Sequence, residues 1–233
     1  MNKFTTFIIK FLNFSVLMLK AINIYKNYGD LPILKGIDLE ISRQEVVCIT
    51  GTSGAGKTTL LQILGTLDKA DKGEVFIDGE NISHLKGNKL AKFRNNKLGF
   101  IFQFHQLLPE FTAVENVIMP SILGGRNKSD SIAKAKRTLD FLGLSSRFQH
   151  KPAQLSGGEQ QRVAVARAMI NDPSIIFADE PSGNLDSTNS GELHDLFFQL
   201  KEEKNQTFVI VTHNEGLANM ADRKLVMKDG LFI

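Results

Sequence analysis

Two short segments of the sequence carry residues whose types and spacing suit the handling of a bound phosphate group. The first is Gly51-Thr-Ser-Gly-Ala-Gly-Lys-Thr58, which has the form G-x-x-x-x-G-K-[ST] of a phosphate-binding loop. The second is the apolar run Ile175-Ile-Phe-Ala178, followed directly by Asp179 and Glu180. The first segment would bind a polyphosphate, and the two carboxylates would hold a cation and activate water.

The phosphate loop lies between a predicted strand and a predicted helix. Val46-Val-Cys-Ile-Thr50 is a β-branched run typical of a buried strand, and Thr58-Thr-Leu-Leu-Gln-Ile-Leu64 is typical of a helix. Glycines let backbone N–H groups face an anion, and the helix N-terminus adds favourable dipole charge. We expect Lys57 to reach the β- and γ-phosphates and the Thr58 hydroxyl to ligate Mg²⁺. The predicted nucleotide contacts here are Gly51, Thr52, Ser53, Gly54, Ala55, Gly56, Lys57, Thr58 and Thr59.

Asp179 and Glu180 stand at the carboxyl end of the second predicted strand, where open α/β sheets bind ligands. We assign Asp179 to Mg²⁺ through water and Glu180 to activation of the attacking water as general base. Paired acids at a strand end are plain surface residues as often as they are catalytic residues. The phosphate loop upstream favours the catalytic role here.

A third segment, Leu155-Ser-Gly-Gly-Glu-Gln160, begins a strongly helix-forming run that extends to Met169. Ser156 would cap this helix, and the helix start would present unpaired N–H groups to an anion. The alternative is an ordinary capped helix, and the cap itself is expected in either case.

These segments, in this order, resemble the motifs of the ATP-binding cassette (ABC) ATPases over about residues 20–233. In that family the signature, here Ser156, Gly157 and Gly158, contacts the ATP held by a second subunit. The resemblance implies that two copies of the chain close around ATP and Mg²⁺. It also gives roles to Gln103 (Mg²⁺ and water), Asp186 (crossing the dimer), His213 (γ-phosphate) and Tyr28 (stacking on adenine, ahead of Tyr25).

The expected fold is α/β, a P-loop NTPase (RecA-like) core with an N-terminal antiparallel β subdomain and a helical subdomain carrying the signature. Residues 21–45 alternate apolar and polar side chains, which predicts antiparallel strands with a turn near Gly29. The ABC ATPase domain is predicted to span residues 18–233, with the helical insert at about 105–160.

Three helices are predicted outside the phosphate loop and the signature. Ala113 to Leu123 has helical spacing that Pro120 should break. Residues 129–142 read as an amphipathic helix, capped by Ser129 and ended by Gly143. The third helix, residues 189–204, precedes the apolar strand that leads to His213.

The first 19 residues are rich in Phe, Ile and Leu. Lys10 and Asn13 interrupt this run before it reaches the roughly 20 apolar residues of a membrane span. The small-x-small cleavage pattern of a signal peptide is also missing. We interpret residues 1–17 as a mis-set start or a disordered extension, since Met18 would suit as the first residue of the domain.

Composition agrees with a cytosolic enzyme of ordinary globular type. The chain has 233 residues, of which 42% are hydrophobic and 23% charged, enough for a sizeable core. The net charge of +3 argues neither for nor against a nucleic acid or a membrane surface. The single cysteine, Cys48, excludes an internal disulfide and reads as a buried small hydrophobe.

Within the ABC family, residues 63–68 and 100–117 resemble the group of lipoprotein-releasing, macrolide-exporting and cell-division ATPases. The resemblance implies a separate transmembrane permease, a peripheral position on the cytoplasmic face of the inner membrane, and no nucleic-acid partner. Lipoprotein release is the favoured function, with macrolide-type efflux or regulation of a cell-division membrane protein as alternatives. Five apolar residues form either the groove for a permease helix or simply core: Phe102, Phe104, Leu107, Leu108 and Phe111.

Other nucleotide-binding classes fit less well. A DNA-repair ATPase of the family would carry a long coiled-coil insertion, and a translation factor would carry two cassettes. The sequence has neither feature. A regulatory GTPase needs the guanine-reading motif N-K-x-D, and Asn88-Lys-Leu-Ala91 lacks the aspartate.

Overall fold

The computed structural model describes residues 17–233, which form two β-sheets with helices packed against them. The hypothesis of an N-terminal extension falls almost wholly on residues 1–16, outside the described part of the chain. Leu17, which that hypothesis placed in the extension, already belongs to the first strand.

The first sheet is antiparallel and confirms the prediction for residues 21–45. Its strand order is β2-β1-β4-β5, and the turn between β1 and β2 lies at Gly29 and Asp30. The strands are β1 (Leu17–Tyr28), β2 (Leu31–Ser42), β4 (Lys72–Ile77) and β5 (Glu80–Asn81).

The second sheet has the order β10-β9-β3-β8-β7-β6, and all neighbouring pairs except β10–β9 are parallel. Its strands are β3 (Val46–Gly51), β6 (Leu98–Phe102), β7 (Ile175–Asp179), β8 (Thr207–Val211), β9 (Arg223–Lys228) and β10 (Leu231–Phe232). The predicted strands before the phosphate loop, before the acid pair and before His213 are therefore confirmed.

The parallel sheet is buried on both faces, and the alternation of its side chains separates two hydrophobic cores. Val47 and Ile49 pack toward the antiparallel sheet, whereas Val46 and Cys48 pack toward the helices on the other face. Burial raises the pKa of the Cys48 thiol to about 12, so this cysteine is an inert core residue, as predicted.

The described residues also form seven α-helices and two 3₁₀ turns. None of these helices is both long enough and apolar enough to cross a membrane. The 3₁₀ turns are Ser145–Arg147 and Pro152–Gln154. The helices are α1 (Lys57–Leu64), α2 (Gly87–Lys97), α3 (Ala113–Leu123), α4 (Lys128–Phe141), α5 (Gly157–Met169), α6 (Ser187–Lys204) and α7 (Glu215–Met220).

Two details of the helical segment differ from the sequence prediction. Helix α3 continues through Pro120, because the carbonyl of Pro120 still accepts the Gly124 N–H at 3.0 Å and also the Asn95 side-chain amide at 2.8 Å. The cap of α4 is Asn127 rather than Ser129, and its side chain accepts the N–H groups of Ser129 and Asp130. Gly143, with φ of +73°, ends α4 as predicted.

A buried histidine on α6 fixes the loop that follows β7. The Nε2 atom of His194 lies 3.0 Å from the Ser182 hydroxyl and 3.3 Å from the Ser190 hydroxyl. All three residues are buried. Burial lowers the pKa of His194, and the neighbouring charge of Asp195 opposes that shift only in part. The imidazole is therefore neutral where it contacts the loop.

We predict that this contact makes stability pH-dependent. Because the pKa of His194 is lower in the folded state, the unfolded chain takes up the proton first as pH falls below about 6.5. The free energy of unfolding should therefore decline below that pH, until the folded-state pKa is reached. Urea unfolding at several pH values should show a shallower decline for His194→Gln than for the native chain. The variant His84→Gln, which removes an exposed histidine, is the matched control, and identical declines in all three proteins would contradict the prediction.

Candidate functional site

A cleft of about 620 Å³ opens at the carboxyl end of the parallel sheet. Residues from four separate loops line it, and most of them were singled out from the sequence. They include Gly51, Lys57, Thr58, Gln103, Glu180 and His213. The structure thus brings together the phosphate loop, the predicted base and the predicted γ-phosphate histidine.

Strand register brings the residues that line the cleft to the same edge of the parallel sheet. Val211 of β8 pairs with Ile49 of β3 on one side and with Asp179 of β7 on the other. The residues that follow these three strands therefore leave the sheet side by side, where α/β proteins bind ligands. Since the strands are buried on both faces, a shift of one residue would exchange their two hydrophobic faces.

The phosphate loop is folded into a closed turn before α1. The Lys57 ammonium donates to the carbonyl oxygens of Gly51, at 2.8 Å, and Thr52, at 2.9 Å. Gly51 has φ of +140°, and a Cβ atom there would lie 2.0 Å from the Met227 carbonyl oxygen of β9. Only glycine permits both this conformation and this close approach. The loop N–H groups and the start of α1 form an anion site.

Asp179 lies next to the phosphate loop and has the features of a cation ligand. The Thr58 hydroxyl donates to its Oδ1 at 3.2 Å. Burial, together with the adjacent charge of Glu180, raises the pKa of Asp179. A bound cation would relieve both effects. Within residues 17–233 no three His, Cys, Asp or Glu side chains converge on one point. Thr58 and Gln103 line the cleft, and Asp179 accepts from Thr58, so these three predicted ligands carry oxygen donors of the kind that Mg²⁺ prefers, and phosphate oxygens would complete such a set.

Glu180 and His213 contact each other across the cleft. The Oε2 atom of Glu180 lies 2.9 Å from His213 Nδ1 and accepts the His213 backbone N–H at 3.2 Å. Glu180 adopts φ of +46°, a conformation that is strained for a residue with a side chain. Its own N–H donates to the Val211 carbonyl at 2.8 Å, which holds this conformation and aims the carboxylate into the cleft.

Gln103 is held in place by a residue that the sequence analysis did not single out. The Gln103 amide donates to Asn184 Oδ1 at 3.2 Å, and the Asn184 amide donates to the Gln103 carbonyl at 3.1 Å. Asn184 lies in the loop between Glu180 and Asp186, two predicted site residues, and this position is the sequence signal that could have identified it.

The signature residues lie outside the cleft. Ser156 caps α5 as predicted, and it forms a capping box with Glu159. Ser156 and Gly157 are exposed, and Gly158 packs against Asn189 of α6. Asn189 in turn donates from its backbone N–H to Asp186 Oδ1 at 2.9 Å and from its side-chain amide to Oδ2 at 2.6 Å. These bonds lower the pKa of Asp186, which is exposed. The signature and Asp186 therefore form one surface, separate from the phosphate loop.

Helix α5 connects that surface to the cleft through two side chains for which the sequence analysis predicted no role. The Gln161 amide donates to the Pro181 carbonyl at 2.7 Å, next to Glu180. The Arg167 guanidinium donates to the carbonyls of His105, at 2.8 Å, and Gln106, at 2.7 Å, just after Gln103. One rigid helix therefore contacts the loops that carry the base and the glutamine.

Tyr28 is not among the residues that line the cleft. Its side chain is half exposed at the end of β1, its hydroxyl donates to Asp68 Oδ2 at 3.0 Å, and the Lys26 ammonium lies 5.2 Å from its ring centre. The ring therefore has an exposed surface, and its stacking on adenine stays a prediction.

Comparisons with known proteins agree with the geometry of the cleft. Residues 34–183 match the family model described as ABC transporter. The chain is 61% identical to the lipoprotein-releasing system ATP-binding protein LolD of Cytophaga hutchinsonii, covering 93% of this chain and 99% of that protein. It is 59% identical to the protein of the same name from Porphyromonas gingivalis, covering 92% and 98%.

A solved structure shares the whole fold. The dimeric structure of a bacterial ABC transporter cassette is 43% identical, with a TM-score of 0.84, and the match covers 92% of this chain and 96% of that one. A post-hydrolysis dimer bound to ADP and Pi matches with a TM-score of 0.83 at 42% identity. The motif order, the cleft and these likenesses together show that this chain belongs to the ABC transporter family, as an ATP-binding subunit.

Proposed function

We propose that this chain hydrolyses ATP to power a separate membrane permease that releases lipoproteins from the inner membrane. The observation that carries the ATPase function is the cleft, in which the phosphate loop faces Glu180 and His213. The choice of lipoprotein release rests on the two LolD proteins, which match this chain at about 60% identity over almost their full lengths. These likenesses favour lipoprotein release over macrolide efflux or a cell-division partner.

The residues of the cleft would divide the work of binding and catalysis. The loop N–H groups and Lys57 bind the phosphates, while Thr58, Gln103 and Asp179 hold Mg²⁺, which supplies charge neutralisation on the phosphates. Glu180 accepts a proton from the attacking water. The 2.9 Å contact between His213 and Glu180 orients the carboxylate, and the paired amides of Gln103 and Asn184 fix the opposite wall of the cleft.

The second half of each site would come from another copy of the chain. Ser156, Gly157 and Asp186 are exposed on a surface of their own, and the start of α5 presents N–H groups there. In a symmetric pair, the start of α5 from one copy would approach the γ-phosphate bound by the other. The dimeric cassette that this chain resembles supports such a pairing.

The permease would bind beside Gln103, on the cytoplasmic face of the membrane. Phe104 and Leu108 are 69% and 44% exposed and so could contact a partner, whereas Leu107 packs on the core. Next to them lies a groove of about 370 Å³ between α2, α3 and α5, and of the five predicted groove residues only Phe102 lines it. This arrangement would transmit movement at Gln103 to the membrane partner.

Reconstitution tests the proposed biology. Proteoliposomes that contain the partner permease and a lipoprotein should release that lipoprotein when this chain, ATP and Mg²⁺ are added. No release, with ATP hydrolysis intact, would overturn lipoprotein release and leave the ATPase function standing. Absence of hydrolysis would overturn both.

We predict that Glu180→Gln binds ATP normally but hydrolyses it roughly 100- to 10,000-fold more slowly, the usual contribution of a general base. Because hydrolysis could no longer open the ATP-bound dimer, closed dimers should accumulate when ATP is added. Phosphate release and size-exclusion chromatography measure the two effects. Glu203→Gln, an exposed change on α6, is the matched control, and normal turnover by Glu180→Gln would remove Glu180 from the role of base.

A second prediction concerns the surface for the other copy. A Cβ atom at Gly158 would lie 2.1 Å from Asn189 Oδ1, so Gly158→Ala must displace Asn189 from Asp186. We expect ATP binding to persist and turnover to fall about 100-fold, the cost of misplacing a reacting group by about 1 Å. The control is Gly191→Ala on α6, where a Cβ atom meets nothing within 4 Å. Equal turnover in both variants would show that this surface does not take part in hydrolysis.

A further inference from the structure

A long segment between β5 and α3 contains basic residues and no acidic ones. Residues 81–109 include no Asp or Glu, although the chain as a whole has 25 of them. The same segment holds Lys86, Lys89, Lys92, Arg94 and Lys97. The modest net charge of the whole chain therefore hides a local concentration of positive charge.

The first three lysines have no structural role that would explain them. Arg94 donates to Thr66, and Lys97 pairs with Asp78 at 2.7 Å. Lys86, Lys89 and Lys92 are exposed, and none of them pairs with a carboxylate of the described residues.

Their position in α2 even opposes helix stability. Lys86 is the N-cap residue, and the first turn of α2 contains no acidic side chain. Positive charges near a helix N-terminus are disfavoured by the helix dipole, and spacings of three residues place the lysines on neighbouring parts of one helical face. Folding alone gives no reason for this arrangement.

The carboxyl-terminal end of α2 contacts an exposed apolar end of α3. Asn95 donates to the Pro120 carbonyl at 2.8 Å, and Arg126 donates to Asn96 at 3.1 Å, so the ends of α2 and α3 are bound together. Leu123, at the end of α3, is 77% exposed. The groove proposed for the permease is bordered by both helices.

We propose that Lys86, Lys89 and Lys92 form a cationic face of α2 that binds the anionic lipid surface of the membrane. The proposal rests on the proposed function only in placing this face toward the membrane. Charge complementarity selects anionic headgroups, and the exposed Leu123 on the adjoining helix end suits the interface of a bilayer better than a nucleic acid. The lipid contact would hold the ATPase at the membrane and raise its encounter rate with the permease.

Vesicle binding by the full-length chain tests the proposal without the permease. Flotation should recover the native chain with vesicles of mixed phosphatidylglycerol and phosphatidylethanolamine, but not with phosphatidylcholine alone. Replacing Lys86, Lys89 and Lys92 together by Gln should lower the partition coefficient by about 100-fold, roughly fivefold for each lysine. Recovery should also fall as salt concentration rises.

The matched control changes three other exposed lysines by the same total charge. Lys72, Lys136 and Lys228 lie outside the acid-free segment, and their combined replacement by Gln should lower the partition coefficient far less. Equal losses in the two triple variants, or equal binding of the native chain to both vesicle types, would overturn the proposal.

ATP hydrolysis measured on the same proteins separates this inference from the proposed function. Loss of vesicle binding with hydrolysis and thermal midpoint retained is the expected result for the α2 variant. A native chain that hydrolyses ATP and ignores anionic vesicles would overturn the lipid contact alone. A chain that binds anionic vesicles without hydrolysing ATP would overturn the proposed function alone.

Discussion

The register of three parallel strands is the constraint on which the site depends. Val211 of β8 is paired on both sides, with Ile49 of β3 and Asp179 of β7, and its carbonyl also holds the N–H of Glu180. A slip of one residue would move the side chains of one hydrophobic core into the other, so the packing of both cores specifies this register. This register sets the phosphate loop, Glu180 and His213 together at one edge of the sheet.

Helix α5 extends that constraint beyond the cleft. Its first turn belongs to the exposed signature, while Gln161 and Arg167 further along bind the loops that carry Glu180 and Gln103. A displacement of the signature surface would therefore reach the catalytic loops through a rigid element, not through flexible chain. This connection suits a site whose two halves belong to different copies and whose outer face meets a membrane partner.

Local sequence patterns predicted the elements well where local forces decide them. The Ser156 cap of α5 and the glycine end of α4 are set by neighbouring residues, and both were predicted. Pro120 was interpreted wrongly because its support is not local: Asn95 of another helix donates to the Pro120 carbonyl. Ser129 was interpreted wrongly because Asn127, two residues earlier, is also a good cap, and its side chain accepts the N–H groups of Ser129 and Asp130. Asn184, Gln161 and Arg167 were given no role because partners distant in sequence determine it.

Residue types and spacing were enough to identify the ATPase chemistry, since the phosphate loop, the signature and the acid pair are recognised by their order along the chain. How these parts meet depends on the folded structure. It placed the Glu180 carboxylate 2.9 Å from His213, in a strained conformation that no local preference would choose, and left the signature outside the cleft. It also gathered three lysines and an exposed leucine on adjoining helices. The physical reason is that contacts between distant segments depend on strand register and packing, which spacing along the chain does not encode.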